Sequence, residues 1–382
     1  MSMSTRIGRL VKHTTRDEEY YTYIPALLPP SPPLDMSKIQ SSFDRAQQAL
    51  AELKAVTAII PNVSLFMYMY VRKEALLSSQ IEGTQSSFSD LMLFENNQQP
   101  SVTIDDVEEV SNYVSAVKHG LRRMREGMPL SLRLIKEMHG ILLQGTRGAQ
   151  KMPGSFRTSQ NWIGGSRPGT ALFVPPSPED LMDCLGAFEN FLHDKKTGLS
   201  PLLRIGLAHV QFETIHPFLD GNGRIGRVLI SLLLCHYGLL DEPVLYLSLY
   251  LKQNRLLYYD LLQRVREHGD WERWLEFFLD GVSATATQAI LTAQNINMLF
   301  AADALTIESL GRMRFSAREV WELFKKLPQL SVPVLSKTFH MNPATARDAL
   351  IALESAGIVR EITGKKRDRV YVYTQYLDFL EG

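Results

Sequence analysis

This sequence predicts a mainly α-helical protein with one β-hairpin and a smaller mixed helix–strand segment at the C-terminal end. Three observations predict it. Apolar residues recur at helical spacing through most of the span from 36 to 300. Helix breakers concentrate in one window, Gly145 to Ser177, where short extended pieces replace that spacing. Beyond about residue 300 three short helical patterns are followed by two alternating runs, Val359 to Ile362 and Arg369 to Tyr373.

Composition sets the outer bounds. A chain of 382 residues with 45% hydrophobic content can bury a core and divides into two or three domains. Its 41 basic and 41 acidic residues cancel, so no global charge drives it to nucleic acid or membrane. Cys184 and Cys235 both fall in apolar helical patterns and read as core thiols in a reducing compartment. No apolar run is long enough to span a bilayer, and the polar start with Lys12 and Asp17 is unlike a signal peptide. A soluble, cytoplasmic protein without a membrane partner is expected.

The elements follow in order. Pro25, Pro29, Pro30, Pro32 and Pro33 predict an irregular, extended arm over residues 1 to 35. A helix is expected from Met36 to about Leu53 with Ser37 as its N-cap. A second runs from about Pro61 to Glu82 on the spacing of Leu65, Tyr68, Met69, Arg72, Leu76 and Ser79, with Gly83 as its stop. Glu82 sits at the negative pole of that helix, where an anion is disfavoured, and such local conflicts tend to mark function.

Residues 101–126 and 131–144 predict two more helices, the first with a Thr103/Asp106 capping box. His139 reads as a structural histidine beside Ile141 and Leu142. Asn161 to Gly165 and Leu172 to Val174 form the arms of a hairpin turning near Ser166 to Gly169. Its edge suits addition of a peptide strand. Helices are then expected at Leu181–Phe191, Pro201–Ile215, Val228–Tyr237, across Leu245–His268, at Trp271–Phe278 and at Val282–Ile296. His209 lies two turns, about 10 Å, before His216, too far to share a metal ion, and reads as core. Tyr250, Asn254, Tyr258 and Tyr259 make a polar-aromatic patch.

At the C-terminal end, Ser316 to Phe324 (with a Ser-x-x-Glu cap), Val332 to Phe339 and Ala344 to Ser355 read as helices. Two strands follow around a Lys365-Lys366-Arg367 tip. This pattern resembles a winged helix. Bound to DNA, it would turn Thr345, Arg347 and Asp348 to the groove and Lys365, Lys366 and Arg367 to the phosphates.

Chemistry concentrates in His216-Pro217-Phe218-Leu219-Asp220-Gly221-Asn222-Gly223-Arg224-Ile225-Gly226-Arg227, a polar turn between two apolar helices. The first N–H groups of the second helix lack partners and its dipole favours an anion there. Gly221 and Gly223 let an anion approach the backbone. Arg224 and Arg227 share a face and suit phosphate oxygens. Asp220 suits magnesium, which binds through one or two carboxylates plus phosphates and water. His216 can take a proton from a hydroxyl. A zinc site at His216 and Asp220 has no third ligand, and Pro217 breaks the helix that would align the pair.

This stretch is similar, without substitution, to the His-Pro-Phe-x-Asp-Gly-Asn-Gly-Arg-x-x-Arg signature of the Fic family. The resemblance implies a Fic-type helical bundle with a β-hairpin flap, and transfer of AMP from ATP to a Tyr, Thr or Ser hydroxyl of a target protein or of the chain itself. It implies His216 as base, Asp220 holding Mg2+, and Gly221, Asn222, Gly223, Arg224, Ile225, Gly226 and Arg227 around the nucleotide. It places Ile163, Gly164, Gly165 and Ser166 of the flap near the nucleotide, and Asn254 and Tyr258 near its adenosine end. The target segment would dock along the flap at 157–174.

Ser78 to Gly83 also matches the family's inhibitory motif. The resemblance implies that Glu82, with Ser78 and Gly83, pairs with Arg227 and withholds it from the γ-phosphate. The implied division is 1–100 as the N-terminal region with the inhibitory helix, 101–300 as the catalytic core and 301–382 as the winged helix. A homodimer fits the long helices. The competing reading is a DNA-binding regulator whose nucleotide site is a sensor. Other donors, such as phosphocholine, and removal of AMP also occur among relatives.

Overall fold

The chain opens with a β-hairpin where its prolines predict irregular backbone. Strands β1 (Arg9–Thr14) and β2 (Glu19–Ile24) pair antiparallel from Arg9↔Ile24 to Thr14↔Glu19. The prolines begin only at Pro25, after β2 ends, while Val11, Tyr20, Tyr21, Thr22 and Tyr23 favour strand. The computed structural model describes residues 6–16, 18–59, 63–95, 100–365 and 368–381.

Helices then dominate. The first two are α1 (Met36–Ile59) and α2 (Val63–Ile81). The Asp35 carboxylate accepts from the Ser37 N–H at 3.1 Å and its hydroxyl at 2.6 Å, so Asp35 and not Ser37 caps α1. Pro61, and the side chains of Leu65 and Tyr68, lie outside the described residues. Gly83, at φ 104°, breaks the chain direction just after α2. Next come α3 (Phe88–Glu95), α4 (Ile104–Arg125) and α5 (Leu132–Leu142). The Thr103/Asp106 capping box does not form. Asp106 instead accepts from Gln85 N–H at 3.0 Å and Arg147 at 3.1 Å.

The predicted hairpin is reduced to one antiparallel bridge, Ile163↔Phe173. Gly164 and Gly165 both take positive φ directly after Ile163 and end the strand. A Cβ at Gly165 would stand 2.4 Å from the Thr170 carbonyl, so only glycine closes this turn.

The helical series continues with α6 (Leu181–His193), α7 (Pro201–Ile215), α8 (Asn222–His236), α9 (Ser248–Gln253), α10 (Arg255–His268) and α11 (Trp271–Glu308). Helix α11 is continuous where two helices are expected. Gly281 looks like a break, but a Cβ there would meet the Tyr250 ring at 2.6 Å, so glycine serves close packing. Among the described residues no helix is long and apolar enough to cross a membrane.

The chain divides into two compact units, residues up to Lys54 with Glu74–Thr287, and Ala55–Lys73 with Gln288–Gly382. In the first, α7 is the axis: every residue from Leu202 to Ile215 is buried. Pro201 opens it at a position that needs no donor. Gly206 lets α11 approach, since a Cβ would stand 2.8 Å from Leu275, and Trp274 donates to the Gly206 carbonyl at 2.9 Å. A helix buried on all sides is a rigid base for whatever its C-terminal end presents.

In the second unit, α12 (Arg314–Phe324), β3 (Gln329–Ser331), α13 (Val332–Phe339), α14 (Pro343–Ser355), β4 (Arg360–Glu361), β5 (Val370–Val372) and α15 (Thr374–Glu381) follow one another. Their sheet has the order β3-β5-β4, antiparallel throughout. Strand β3 is an addition to the two expected. It is too short to show alternation, and Leu330 is buried in it. Ser316 bonds back to the Met313 carbonyl and is no cap. Ser331 and Asn342 cap α13 and α14. Trp321, Phe324, Leu335, Leu350 and Leu353 fill the centre. Lys366 and Arg367 lie outside the described residues.

Candidate active site

Helix α7 ends at His216, which adopts the left-handed conformation at φ 49° and ψ 60°. A non-glycine residue there is strained and persists only when its surroundings hold it. They do. Its N–H bonds the Phe212 carbonyl at 3.0 Å. Its own carbonyl accepts from Arg157 Nε at 3.0 Å and Asn161 Nδ2 at 3.2 Å. Arg157 is 2% exposed and also donates to the Pro176 carbonyl at 2.5 Å, which fixes the segment after the flap to the same point.

The imidazole keeps one ring nitrogen free of the protein among the described residues. Nδ1 faces the Glu213 carbonyl at 3.4 Å. A carbonyl only accepts, so Nδ1 carries the proton and Nε2 keeps its lone pair. Burial in the cleft, with help from the Arg266 and Arg157 charges, lowers the His216 pKa to about 4. The ring is therefore neutral at physiological pH.

The turn after His216 is built from within. Phe218 is fully buried and stacks on His139 at 3.6 Å, a burial worth roughly 1.5–3 kcal/mol. His139 accepts from the Gly154 N–H at 2.9 Å and faces the Asp220 carbonyl at 3.0 Å, so both its nitrogens are satisfied. The Asn222 side chain accepts from Phe218 N–H at 2.8 Å and donates to its carbonyl at 2.9 Å. That amide staples the loop with its oxygen and one of its two N–H hydrogens, and the second hydrogen and the backbone N–H remain for an anion. Gly221, at φ 78°, opens α8. Asp220 accepts from the Gly221 N–H at 2.6 Å while its side chain stays 43% exposed.

Both arginines are committed. Arg224 bonds Glu109 at 3.1 Å, and Glu109 also holds Arg147 at 3.0 Å. Arg227 is 1% exposed and makes three bonds: Nε to Ser78 Oγ at 2.7 Å, Nη2 to the Ser78 carbonyl at 3.1 Å, and Nη2 to Glu82 Oε1 at 2.6 Å. Burial raises the Glu82 carboxyl, but the Arg227 charge and hydrogen bond outweigh it and hold the group below its ordinary value. Gly223 makes this approach feasible, since a Cβ there would stand 2.5 Å from Glu82 Oε1.

A cavity of about 730 Å³ joins His216 to the Glu82–Arg227 pair, while Asp220, Gly221, Asn222 and Arg224 are not among its lining residues. His216, Gly223, Arg227 and Glu82 line one part, and Ile163, Phe173, Tyr258, Tyr259 and Leu262 give it an apolar side. Tyr258 is held by His209, whose Nε2 lies 2.8 Å from its hydroxyl. Gly164 lines the cavity too. Gly165 and Ser166 are exposed at the flap tip and are not among its lining residues. Asn254 also lies off the lining, at the N-terminus of α10, and donates to the Tyr250 carbonyl at 3.0 Å. Ile225 is fully buried and Gly226 packs on Glu213.

Sequence reasoning misses Arg157, Asn161, Glu109, Arg147, Glu213 and Arg266, which come from four separate segments with no common spacing. Glu213 is 6% exposed, and burial is the main reason its pKa rises to about 7. A carboxyl with a raised folded pKa stabilises fully below its unfolded value near 4.5 and loses that contribution as pH rises through about 7. Glu213→Gln is thus expected to raise the melting temperature at pH 8 and change it little at pH 5. Equal shifts at both pH values would show that this carboxyl is not the titrating group.

The model described as Fic/DOC family N-terminal matches residues 40–122, and that described as Fic/DOC family matches residues 129–234. A protein adenylyltransferase Fic of Aedes aegypti is 33% identical over 185 residues, 48% of this chain and 34% of the relative. One of Drosophila persimilis is 30% identical over 217 residues, 56% of this chain and 40% of the relative. The chain thus spans well under half the length of these curated relatives.

Among solved structures, a Fic family protein from Desulfovibrio desulfuricans G20 superposes with a TM-score of 0.58 at 17% identity, covering 88% of this chain and 95% of that one. Fic-1 of C. elegans gives 0.53 at 22%, covering 68% and 74%. These two likenesses speak for the fold. The signature turn from His216 to Arg227 lies wholly inside the second matched segment, and by that segment and the one before it the chain belongs to the Fic/DOC family.

Proposed function

We propose that this chain transfers AMP from ATP to a hydroxyl side chain of a protein, and that Glu82 restrains the reaction by holding Arg227. The observation that carries the reading is His216: a neutral imidazole with a bare Nε2, in a strained and fully braced conformation, in the same cavity as a buried arginine. His216 Nε2 takes the proton of the incoming hydroxyl, whose oxygen attacks the α-phosphorus as pyrophosphate leaves. The first N–H groups of α8 and the two arginines stabilise charge at the phosphates. Tyr258, Tyr259 and Ile163 suit the apolar face of the base. A target main chain would dock along the flap at 157–174.

Asp220 fits a magnesium ion that arrives with the nucleotide, because a single part-exposed carboxylate is the usual protein share of such a site. Bound there, the ion would neutralise phosphate charge.

The test uses ATP labelled at the α- or the γ-phosphate, with Glu82→Gly chain and a lysate. Label on protein from the α position alone supports AMP transfer. Measured against the same lysate without the chain, whose kinases set the γ background, added label from the γ position, or from neither, overturns it.

A second reading concerns the other unit. We propose that α12–α14 with β3–β5 form a winged helix whose exposed face binds duplex DNA. Lys337, Arg347 and Arg369 border one cavity of about 850 Å³, and no ion pair of theirs is found among the described residues. Arg347→Ala is expected to weaken binding of a mixed-sequence duplex, with a salt slope unchanged for a groove contact and lowered by about one for a phosphate contact. Absence of duplex binding by the parent chain at low salt would sink the idea.

A further inference from the structure

The transfer described above leaves one buried carboxyl of the cavity without a task. Glu213 lies on α7, one turn before His216, and lines the same cavity. Its Oε1 is buried without a hydrogen-bond partner. The nearby guanidiniums are spent elsewhere: Arg227 on Glu82 and Ser78, Arg266 on Thr214 at 3.2 Å and the Glu213 main-chain carbonyl at 3.2 Å. Neither forms an ion pair with Glu213 among the described residues. The carboxyl rests against Gly226, where a Cβ would stand 2.2 Å from Oε1, so glycine at 226 makes room for it. A buried, unsatisfied acceptor beside a substrate cavity calls for a donor that arrives with the ligand.

The donor's identity follows from position. This step rests on the reading that the site takes a nucleotide. Phosphate oxygens at neutral pH offer no hydrogens, so the partner is on the nucleoside. The α-phosphate must lie near His216 for transfer, and the distal phosphates toward Arg227. The unit bonded directly to the α-phosphate is the ribose, whereas the base reaches further, to the aromatic wall of Tyr258 and Tyr259. Glu213, between His216 and Gly226, is therefore placed for the sugar. Above its raised pKa, as at pH 8 where the titrations are run, the group is a carboxylate with two acceptor oxygens and no donor, which matches a vicinal diol.

We propose that Glu213 accepts hydrogen bonds from the ribose 2′- and 3′-hydroxyls of the donor nucleotide and so selects ribonucleotides over deoxyribonucleotides. It is a specificity-determining residue. Glutamine at 213 keeps the shape and one acceptor, and alanine keeps none.

The test is calorimetric titration of the full chain carrying Glu82→Gly with ATP, 2′-deoxy-ATP and inosine triphosphate in magnesium buffer at pH 8, repeated with Glu213→Gln and Glu213→Ala. With Glu213 present, ATP is expected to bind about 10- to 100-fold more tightly than 2′-deoxy-ATP, as for a hydrogen bond to a charged group. That ratio falls in Glu213→Gln and approaches unity in Glu213→Ala. A merely structural glutamate would shift both affinities together and leave the ratio unchanged, which overturns the proposal. So would equal affinity for the two sugars in the Glu213 parent. If instead the ATP-to-inosine-triphosphate ratio is the one that collapses, Glu213 reads the base and the ribose assignment is wrong. Failure of the parent to bind ATP at all overturns the nucleotide reading itself and this proposal with it, an outcome visible before any Glu213 variant is compared.

Discussion

Replacing His216 with alanine is expected to lower α-label transfer about 100- to 10,000-fold, the range set by a positioned general base, while ATP binding persists. The expectation rests on the division of labour around the residue. Among the described residues its side chain has a hydrogen-bond contact with the Glu213 carbonyl alone, whereas its main chain is gripped by Arg157, Asn161 and Phe212. Removing the ring therefore removes the base and leaves the braces. Alanine does add strain, because the position is left-handed. Asparagine tolerates that conformation better, so His216→Asn separates the loss of the base from the loss of the turn.

A second readout comes from pH. An imidazole at the ordinary value near 6.5 would be only about one-quarter neutral at pH 6. With its pKa lowered to about 4 by burial, His216 stays neutral across that range. Initial transfer rates between pH 8 and 6 should thus not fall by the fourfold that an unperturbed histidine would cause. Loss of ATP binding in both variants, measured by calorimetry, would make His216 a structural residue.

Much of this site is legible in the chain because its chemistry is local. The turn from His216 to Arg227 supplies base, carboxylate, glycines and arginines within twelve consecutive residues, and helix-end physics alone makes it an anion cradle. The Glu82 conflict is likewise readable as a mark of function, and its partner Arg227, which the family resemblance implies, lies 2.6 Å away. What is not legible is the bracing. Arg157 reaches the His216 carbonyl from 59 positions upstream, and Glu109 reaches Arg224 from 115. Only the folded chain brings such pairs together.

Asn222 is legible as a motif residue, but its part in holding the turn is not: its Oδ1 and one Nδ2 hydrogen are used on Phe218. Glycine is ambiguous too. Gly281 looks like a helix end and is a packing site, while Gly164 and Gly165 look like a hairpin's approach and end its pairing. A glycine announces close approach or positive φ. Which of the two applies depends on neighbours far away in sequence.

Glu82→Gly is expected to raise transfer about 10- to 100-fold, the equivalent of one hydrogen bond between charged groups. Arg227 cannot serve a γ-phosphate and Glu82 equally, since Nη2 already bonds the carboxylate at 2.6 Å. The gain depends on the guanidinium keeping its place when Glu82 goes, and Ser78 provides for this. Nε still bonds the Ser78 hydroxyl and Nη2 the Ser78 carbonyl. Glu82 also lies just past the last residue of α2, so glycine there spares the helix interior.

Acid is a poor substitute for the mutation. The carboxyl is held below its ordinary value, so the pair is intact above that value and is lost only as pH falls through the lowered one. Between pH 6 and 8 the restraint should therefore be constant, and relief must come from displacing Glu82 rather than protonating it. The exposed part of its side chain, 37%, gives a competitor access. Initial rates of α-label incorporation for the parent, Glu82→Gly and Glu82→Gln decide the point. Glutamine keeps the shape without the charge and should fall between the other two. An unchanged or slower rate in Glu82→Gly would mean that the Glu82–Arg227 pair supports the site instead of restraining it.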